Sequence, residues 1–208
     1  MERKIIFLDI DGVLQPIGSQ KRFRHVHNPH GENDMPRLYE LLEYDFNIDY
    51  REHHRYDVAA VFFDWDKESI ALLKLTLNLT GAMFVLSSDW RLTDLQPNGD
   101  WGDGYGRMKD FFTIYGLEKY YIDNTECNYI DKAFIEEANA KYDGKEGETL
   151  PSRTIEILEW LSRNPDVEKW VAIDDMRLTG LDGHFVNTKR RYKWRDAEKA
   201  IKILNDCF

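Results

Sequence analysis

The run Lys4-Ile5-Ile6-Phe7-Leu8-Asp9-Ile10-Asp11-Gly12-Val13-Leu14 constrains this chain more than any other stretch. An apolar segment bounded by acids and a glycine has the pattern of a short strand buried on both faces, the situation of a central strand in a parallel sheet. Side chains alternate along a strand, so Asp9 and Asp11 are expected to leave on one side while Ile10 packs inward. Gly12 then permits a sharp bend. Carboxylates at that end stand where open α/β sheets bind ligands. Taken alone, the same residues also suit an ordinary polar turn.

Further along, Pro36 opens a predicted helix carrying Leu38, Leu41, Leu42 and Phe46. Asp66 is the expected N-cap of a helix through Ile70, Leu73 and Leu77 that stops at Gly81. The apolar run 82–86 reads as a second buried strand, and it ends on Ser87-Ser88-Asp89-Trp90-Arg91. Met108, Phe111, Phe112 and Tyr115 mark a helix closing at Gly116, and a strand is expected over 119–123. The glycine-rich 98–106 lacks the preceding strand and spacing of a dinucleotide fingerprint and reads as a loop. Pro151-Ser152-Arg153 begin a helix with Ile155, Leu158 and Leu161, and Ile157 and Trp160 beside them, that ends before Asn164-Pro165. A strand over 170–173 follows and stops on Asp174-Asp175, then a short strand over 184–188 and a last helix from about Asp196 with Ala197, Ala200, Ile201 and Leu204 on one face. Strands alternating with helices predict a parallel sheet and an α/β fold.

Three strands therefore end in reactive polar groups: Asp9 and Asp11, then Ser87 and Ser88, then Asp174 and Asp175, with Arg153 opening the helix before the third. If these strands are neighbours, all the groups fall on one rim. Such a coincidence is a far stronger signal than any single motif.

These residues carry a resemblance. The chain resembles the haloacid dehalogenase-like (HAD) superfamily: Leu8-Asp9-Ile10-Asp11-Gly12-Val13 matches its first motif, the strand ending at Ser87 its second, Arg153 stands at the third, and Ile173-Asp174-Asp175 matches the fourth. The stretches 86–91, 157–161 and 173–175 look like the HAD domains grouped with nucleic-acid repair phosphatases. The resemblance implies a Rossmann-like three-layer sandwich, one HAD-like domain over 1–208 with a mainly parallel central sheet and cap-like inserts at about 15–64 and 92–148.

It also implies roles. Asp9 would be the nucleophile forming an aspartyl-phosphate, and Asp11 the acid and base that serves the leaving oxygen and then the attacking water. Ser87, with Ser88 as an equal candidate, would hydrogen-bond a phosphoryl oxygen, and Arg153 would neutralise the charge of the transferring group. Superfamily dehalogenases lack an acid at the position of Asp11, so phosphoryl chemistry is favoured. Carboxylates about 4 Å apart repel by roughly 4 kcal/mol at an effective dielectric of 20, so several on one rim call for a cation. Hard oxygen ligands beside a phosphate suit Mg²⁺, expected on Asp9, the Asp11 carbonyl and Asp174 or Asp175, with Asp175 alternatively orienting Arg153 or a metal-bound water. The expected activity is that of a Mg²⁺-dependent phosphomonoester hydrolase, its partner a phosphorylated small molecule or a phosphorylated nucleic-acid end. The alternatives are a phosphorylated nucleic-acid 3′ or 5′ end as substrate, or a non-enzymatic phospho-sensing module resembling receiver domains.

Composition narrows the setting. Hydrophobic residues at 42% exclude a disordered chain, and Cys127 and Cys207, the only cysteines, suggest no disulfide framework. A reducing, cytoplasmic location is expected, with no signal peptide and no run of membrane-spanning length. The net charge of −10 opposes nucleic acid at long range, although a local basic patch can override it. One such run exists, Lys189-Arg190-Arg191-Tyr192-Lys193-Trp194-Arg195, and it reads first as a solvated connection before a helix, second as a backbone grip with a stacking aromatic. His25, His27 and His30, with His53 and His54, have spacings that could hold zinc but read better as loop histidines. Trp65, Trp101 and Tyr105 are candidates for an apolar lid, with packing beneath a loop the plainer account.

Overall fold

The computed structural model describes residues 2–27, 34–92, 104–126, 130–144 and 148–205. Its frame is a five-stranded sheet, all parallel, built from β1 (Arg3–Leu8), β2 (Met83–Leu86), β3 (Tyr121–Asn124), β4 (Val167–Asp174) and β5 (Phe185–Asn187) in the order β3-β2-β1-β4-β5. The strand order reverses at β1, which makes the gap between the ends of β1 and β4 the topological switch point.

Both faces of the sheet are covered, because β1 is apolar on both. Ile6 and Leu8 join the larger core, into which Phe84 and Leu86 of β2 and Val171 and Ile173 of β4 also point. Two helices that pack against each other, α4 (Lys67–Thr80) and α8 (Trp194–Asn205), supply Ile70, Leu73 and Leu77, and Ala197, Ala200 and Leu204, to the same cluster. Ile5 and Phe7 face the other way, toward Ile157 and Trp160 of α7 (Ser152–Arg163). The Trp160 ring meets Phe7 edge-on at 5.4 Å between centroids. Losing a buried ring of that size costs on the order of 3–5 kcal/mol. Helix α4 begins where Asp66 accepts the Ser69 N–H at 2.9 Å and ends on Gly81 at φ 69°, as its pattern predicts.

The two stretches without a match in the sequence differ in what they do. Residues 15–64 form α1 (Arg22–Val26), α2 (Met35–Phe46), α3 (Arg55–Ala59) and a π-helical turn (Ala60–Asp64), and they bury Val26, Leu38, Leu42, Val58 and Val61 in the larger core. Of residues 92–148, α5 (Gly104–Thr113) packs Phe111 and Phe112 into the same core, β3 is an edge strand of the sheet, and α6 (Lys132–Lys141) contacts α7. Buried Asp64 ties the loop after β1 to the π-helical turn, accepting from Ser19 Oγ at 2.9 Å, the Lys21 N–H at 2.7 Å and Arg22 Nη1 at 2.6 Å. No described helix is long and apolar enough to cross a membrane.

Several details depart from the sequence pattern. On α7 the buried apolar residues are Ile155 together with Ile157 and Trp160, which sequence places beside the expected stripe, whereas Leu158 and Leu161 are only partly covered; Arg153, Thr154 and Glu156 are buried as well. Strand β4 starts three residues before the predicted position, at Val167, and α8 starts at Trp194. Trp65 is 2% exposed and packs among Trp90, Phe112 and Tyr115, so it is part of the core and not a lid. Trp101 and the Tyr105 side chain lie outside the described residues.

Candidate active site

Register aligns the strand ends. Leu8 lies opposite both Leu86 and Ile173, Leu86 lies opposite Asn124, and Asp174 lies opposite Asn187. The next residues therefore form one row, Thr125-Ser87-Asp9-Asp174-Asn187, across the carboxyl edge of the sheet. Backbone hydrogen bonds continue into that row: Asp9 N–H to the Ile173 carbonyl at 3.0 Å, Ser87 N–H to Leu8 at 2.8 Å and Thr125 N–H to Leu86 at 2.9 Å. Asp9 thus lies just past the strand, not within it. Ile10 is buried, as alternation predicts, while Asp11 sits further out on the turn and is more open to solvent.

Asp9 of the first acid pair meets both acids of the last. Carboxylate oxygens of Asp9, Asp174 and Asp175 lie within 4.8 Å of one another, the one such metal-capable group among the described residues. Arg153 enters from the start of α7 and places Nη1 3.1 Å from Asp9 Oδ1 and 3.7 Å from Asp174 Oδ2. Its other nitrogen, Nη2, reaches Asp89 at 2.9 Å, and Nη1 also donates to the Ser87 carbonyl. Gly12 makes the crowding possible. At φ +72° it adopts a backbone conformation that side chains disfavour, and a Cβ there would stand 2.5 Å from Asp175 Cβ.

Electrostatics follow from burial. Asp9 is pushed up to about 7, first by loss of solvent and then by the Asp174 charge, against the pull of Arg153 and the Ser88 hydroxyl. Asp174 is pushed up to about 6, again mainly by burial. Among the described residues, the Arg153 guanidinium alone reaches both Asp9 and Asp174, too little positive charge for the carboxylates gathered here, so the protein alone favours holding protons where a cation would displace them. Three hard oxygen donors and a deficit of positive charge fit Mg²⁺.

The two serines, equivalent in the sequence, are distinct in space. Ser88 Oγ accepts from the Ile10 N–H at 3.4 Å and lies on the Asp9 side. Ser87 Oγ is buried and meets Thr125 Oγ1 at 3.5 Å. Asp11 is gripped at both oxygens, by Gln15 Nε2 at 2.7 Å and by the Trp90 indole N–H at 3.0 Å.

Several residues around the site carry no strong mark in the sequence. Thr125 ends a strand as Asp9, Ser87 and Asp174 do, so the same strand-end rule applied to β3 finds it. Nothing in the sequence signals that Gln15 turns back onto Asp11, or that Arg91 pairs with buried Glu156 at 2.7 Å and braces the Ser88 carbonyl. The histidines do not gather around a metal among the described residues. His25 meets Asp34 at 2.8 Å and stacks on Phe63, His27 bonds Tyr56, and His53 meets Asp110 at 2.9 Å, while His30 lies outside the described residues.

Comparison with known proteins identifies the family. A family model described as the HAD domain in Swiss Army Knife RNA repair proteins matches residues 5–193, a span that includes the carboxyl ends of all five strands and every candidate active-site residue. No curated protein and no solved structure matches the chain. The chain therefore belongs to the HAD domains of Swiss Army Knife RNA repair proteins, a family whose chemistry is that of phosphatase-type hydrolases.

Proposed function

We propose that the protein is a Mg²⁺-dependent phosphomonoester hydrolase working through an aspartyl-phosphate on Asp9. The observation that carries this reading is the convergence of the Asp9, Asp174 and Asp175 carboxylates within 4.8 Å beside the Arg153 guanidinium. Asp9, Asp174, Asp175 and the Asp11 carbonyl would hold the ion, which when bound supplies positive charge for the phosphoryl oxygens and keeps the carboxylates ionised.

Each step balances on residues of this chain. Asp9 Oδ forms a bond to phosphorus as the bond to the leaving oxygen breaks, and Asp11 delivers a proton to that oxygen. Water then attacks the aspartyl-phosphate, Asp11 takes its proton, and the bond to Asp9 breaks to release phosphate. Arg153 and the Ser88 hydroxyl sit beside Asp9, where charge on the transferring group would need donors, and Ser87 lines the row next to them. Grips from Trp90 and Gln15 keep Asp11 in one orientation through both proton transfers.

A second reading narrows the substrate to a phosphorylated 3′ or 5′ end of nucleic acid. It is favoured by the membership in RNA repair HAD domains.

Asp9→Asn removes the nucleophile with little change of shape. Turnover of p-nitrophenyl phosphate with Mg²⁺ is expected to fall to background while the melting temperature is retained. Full activity in that variant refutes the reading.

A further inference from the structure

The basic run that sequence alone reads as a solvated connection is built into the rim of the candidate site. Thr188 Oγ1 donates to the Gly12 carbonyl at 2.7 Å, the Tyr192 N–H to Val13 at 2.9 Å, and the Ile17 N–H to the Arg190 carbonyl at 3.0 Å. Segment 188–192 therefore runs alongside the turn that follows Asp11. Tyr192 anchors it from below, fully buried, with its hydroxyl 2.9 Å from Thr76 Oγ1. With Tyr192 held inside, the neighbouring Lys193 and Arg195 are left in solvent.

Together these residues line a groove of about 340 Å³ with five cations, Lys189, Arg191, Lys193, Arg195 and Lys199, against one acid, Asp196. The acid is already engaged, since its carboxylate accepts the Lys193 N–H at 3.0 Å at the start of α8. Arg191 is paired with Asp66 and Glu68. Among the described residues, none of the other four cations is in an ion pair. Arg195 and Lys199 are four residues apart on α8 and share a face, about 6 Å apart along the axis. In a chain of net charge −10, four clustered cations outside any ion pair make a local positive field that attracts an anion.

Two further features say which anion. Asn187 lines the groove, and its Nδ2 donates to the carbonyls of Asp175 at 2.9 Å and Met176 at 2.8 Å, so the groove begins at the loop that follows Asp174 and bears Asp175. Trp194, 56% exposed, lies between two lining cations in sequence. Spaced cations along a groove, with an exposed aromatic next in sequence to two of them, match the backbone contacts and stacking platform of a single-stranded nucleic acid. An isolated phosphate would need only one cluster of donors.

We propose that the groove lined by residues 187–199 is the track for the phosphodiester backbone of a single-stranded nucleic acid whose terminal phosphate enters the site at Asp9. The position of that terminus rests on the phosphatase reading; binding of the strand does not. Three to four phosphates are contacted, and Trp194 stacks a base. The site gives an acidic protein a local means to hold a polyanion.

The test separates the strand from the chemistry. Binding of a labelled single strand of about ten nucleotides is followed by fluorescence anisotropy across a salt series, for the natural chain, the triple variant Lys193→Ala/Arg195→Ala/Lys199→Ala, and Trp194→Ala. Hydrolysis of p-nitrophenyl phosphate is measured on the same samples. The triple variant is expected to weaken strand binding at least tenfold and to flatten the slope of log K against log salt by about 2, at roughly 0.7 per lost phosphate contact. Trp194→Ala is expected to weaken binding about tenfold with the slope unchanged. Hydrolysis of the small ester and the melting temperature should not change. Equal strand binding by the triple variant, no strand binding by the natural chain at low salt, or equally effective competition by polyglutamate overturns the groove assignment. Strand binding that depends on the groove without turnover of any ester supports the groove and removes the phosphatase reading. Ester hydrolysis without strand binding does the reverse.

Discussion

Trp90 donates its indole N–H to Asp11 Oδ2 at 3.0 Å, so a side chain from the turn after β2 holds the acid that follows β1. The same indole packs edge-on against Trp65 and Phe111, which fixes its direction. Hydrogen bonds to a carboxylate favour its charged form, so Trp90 and Gln15 restrain the upward push that burial gives Asp11. Trp90→Phe keeps the packing and deletes the donor. It is expected to lower kcat by roughly 10–100-fold, the scale of impaired acid-base catalysis, with KM little changed. The limb of the pH profile that needs Asp11 protonated should move to higher pH. A uniform loss of folded protein, with kcat and the profile unaltered, would argue that the indole only packs.

Gly12 and Asp175 cannot both keep their places if the glycine gains a side chain. Gly12→Ala combines a strained φ of +72° with a collision against Asp175. The expected cost in stability is about 1–3 kcal/mol, seen as a lower midpoint in urea. Mg²⁺ should also raise the melting temperature of the variant less than that of the natural chain. An equal response to Mg²⁺ would show that Asp175 is not needed to hold the ion.

Arg153 is the cation within reach of both Asp9 and Asp174. Replacing it by Met leaves buried acids without their partner, which typically costs 3–5 kcal/mol. The expected outcome is a lowered melting temperature in EDTA that Mg²⁺ partly restores, with kcat/KM down by about 10²–10³ as donors to the transferring group are lost. Arg153→Lys should recover stability better than activity, because a single ammonium cannot span Asp9, the Ser87 carbonyl and Asp89.

Proton and metal binding are expected to compete. Asp9 at about 7 and Asp174 at about 6 are raised above the usual 3.8, so the fold favours their protonated forms. Stability from this source is complete below 3.8 and is lost as the pH rises through about 7 in the metal-free protein. Mg²⁺ requires the ionised carboxylates, so the increase in melting temperature on adding it should be small near pH 5 and grow toward about pH 8. A Mg²⁺ response independent of pH, or no response at all, would contradict a carboxylate metal site.

Local rules carried a large part of the fold. The apolar run before Asp9, the cap at Asp66, the stop at Gly81 and the acid pair at Asp174-Asp175 each follow from short-range chemistry, and register then levels the strand ends. Trp65 was harder to read, because an aromatic in an irregular stretch gives the same local signal whether it roofs a site or packs beneath one. Ser87 and Ser88 are adjacent and chemically alike, so only the direction of each Oγ separates them.

By itself the sequence determined the class of the fold, the order in which strands and helices succeed one another, and the identity of the groups at the strand ends, since these depend on periodicity and on residue type. Tertiary structure alone decided that Trp90 and Gln15 grip Asp11, that Glu156 braces Arg91, and that the basic run lies along the rim beside Gly12 and Val13. Apart from Gln15 and Asp11, which share one turn, these contacts join residues far apart in the chain, and their energies depend on distance and burial, which no local pattern encodes.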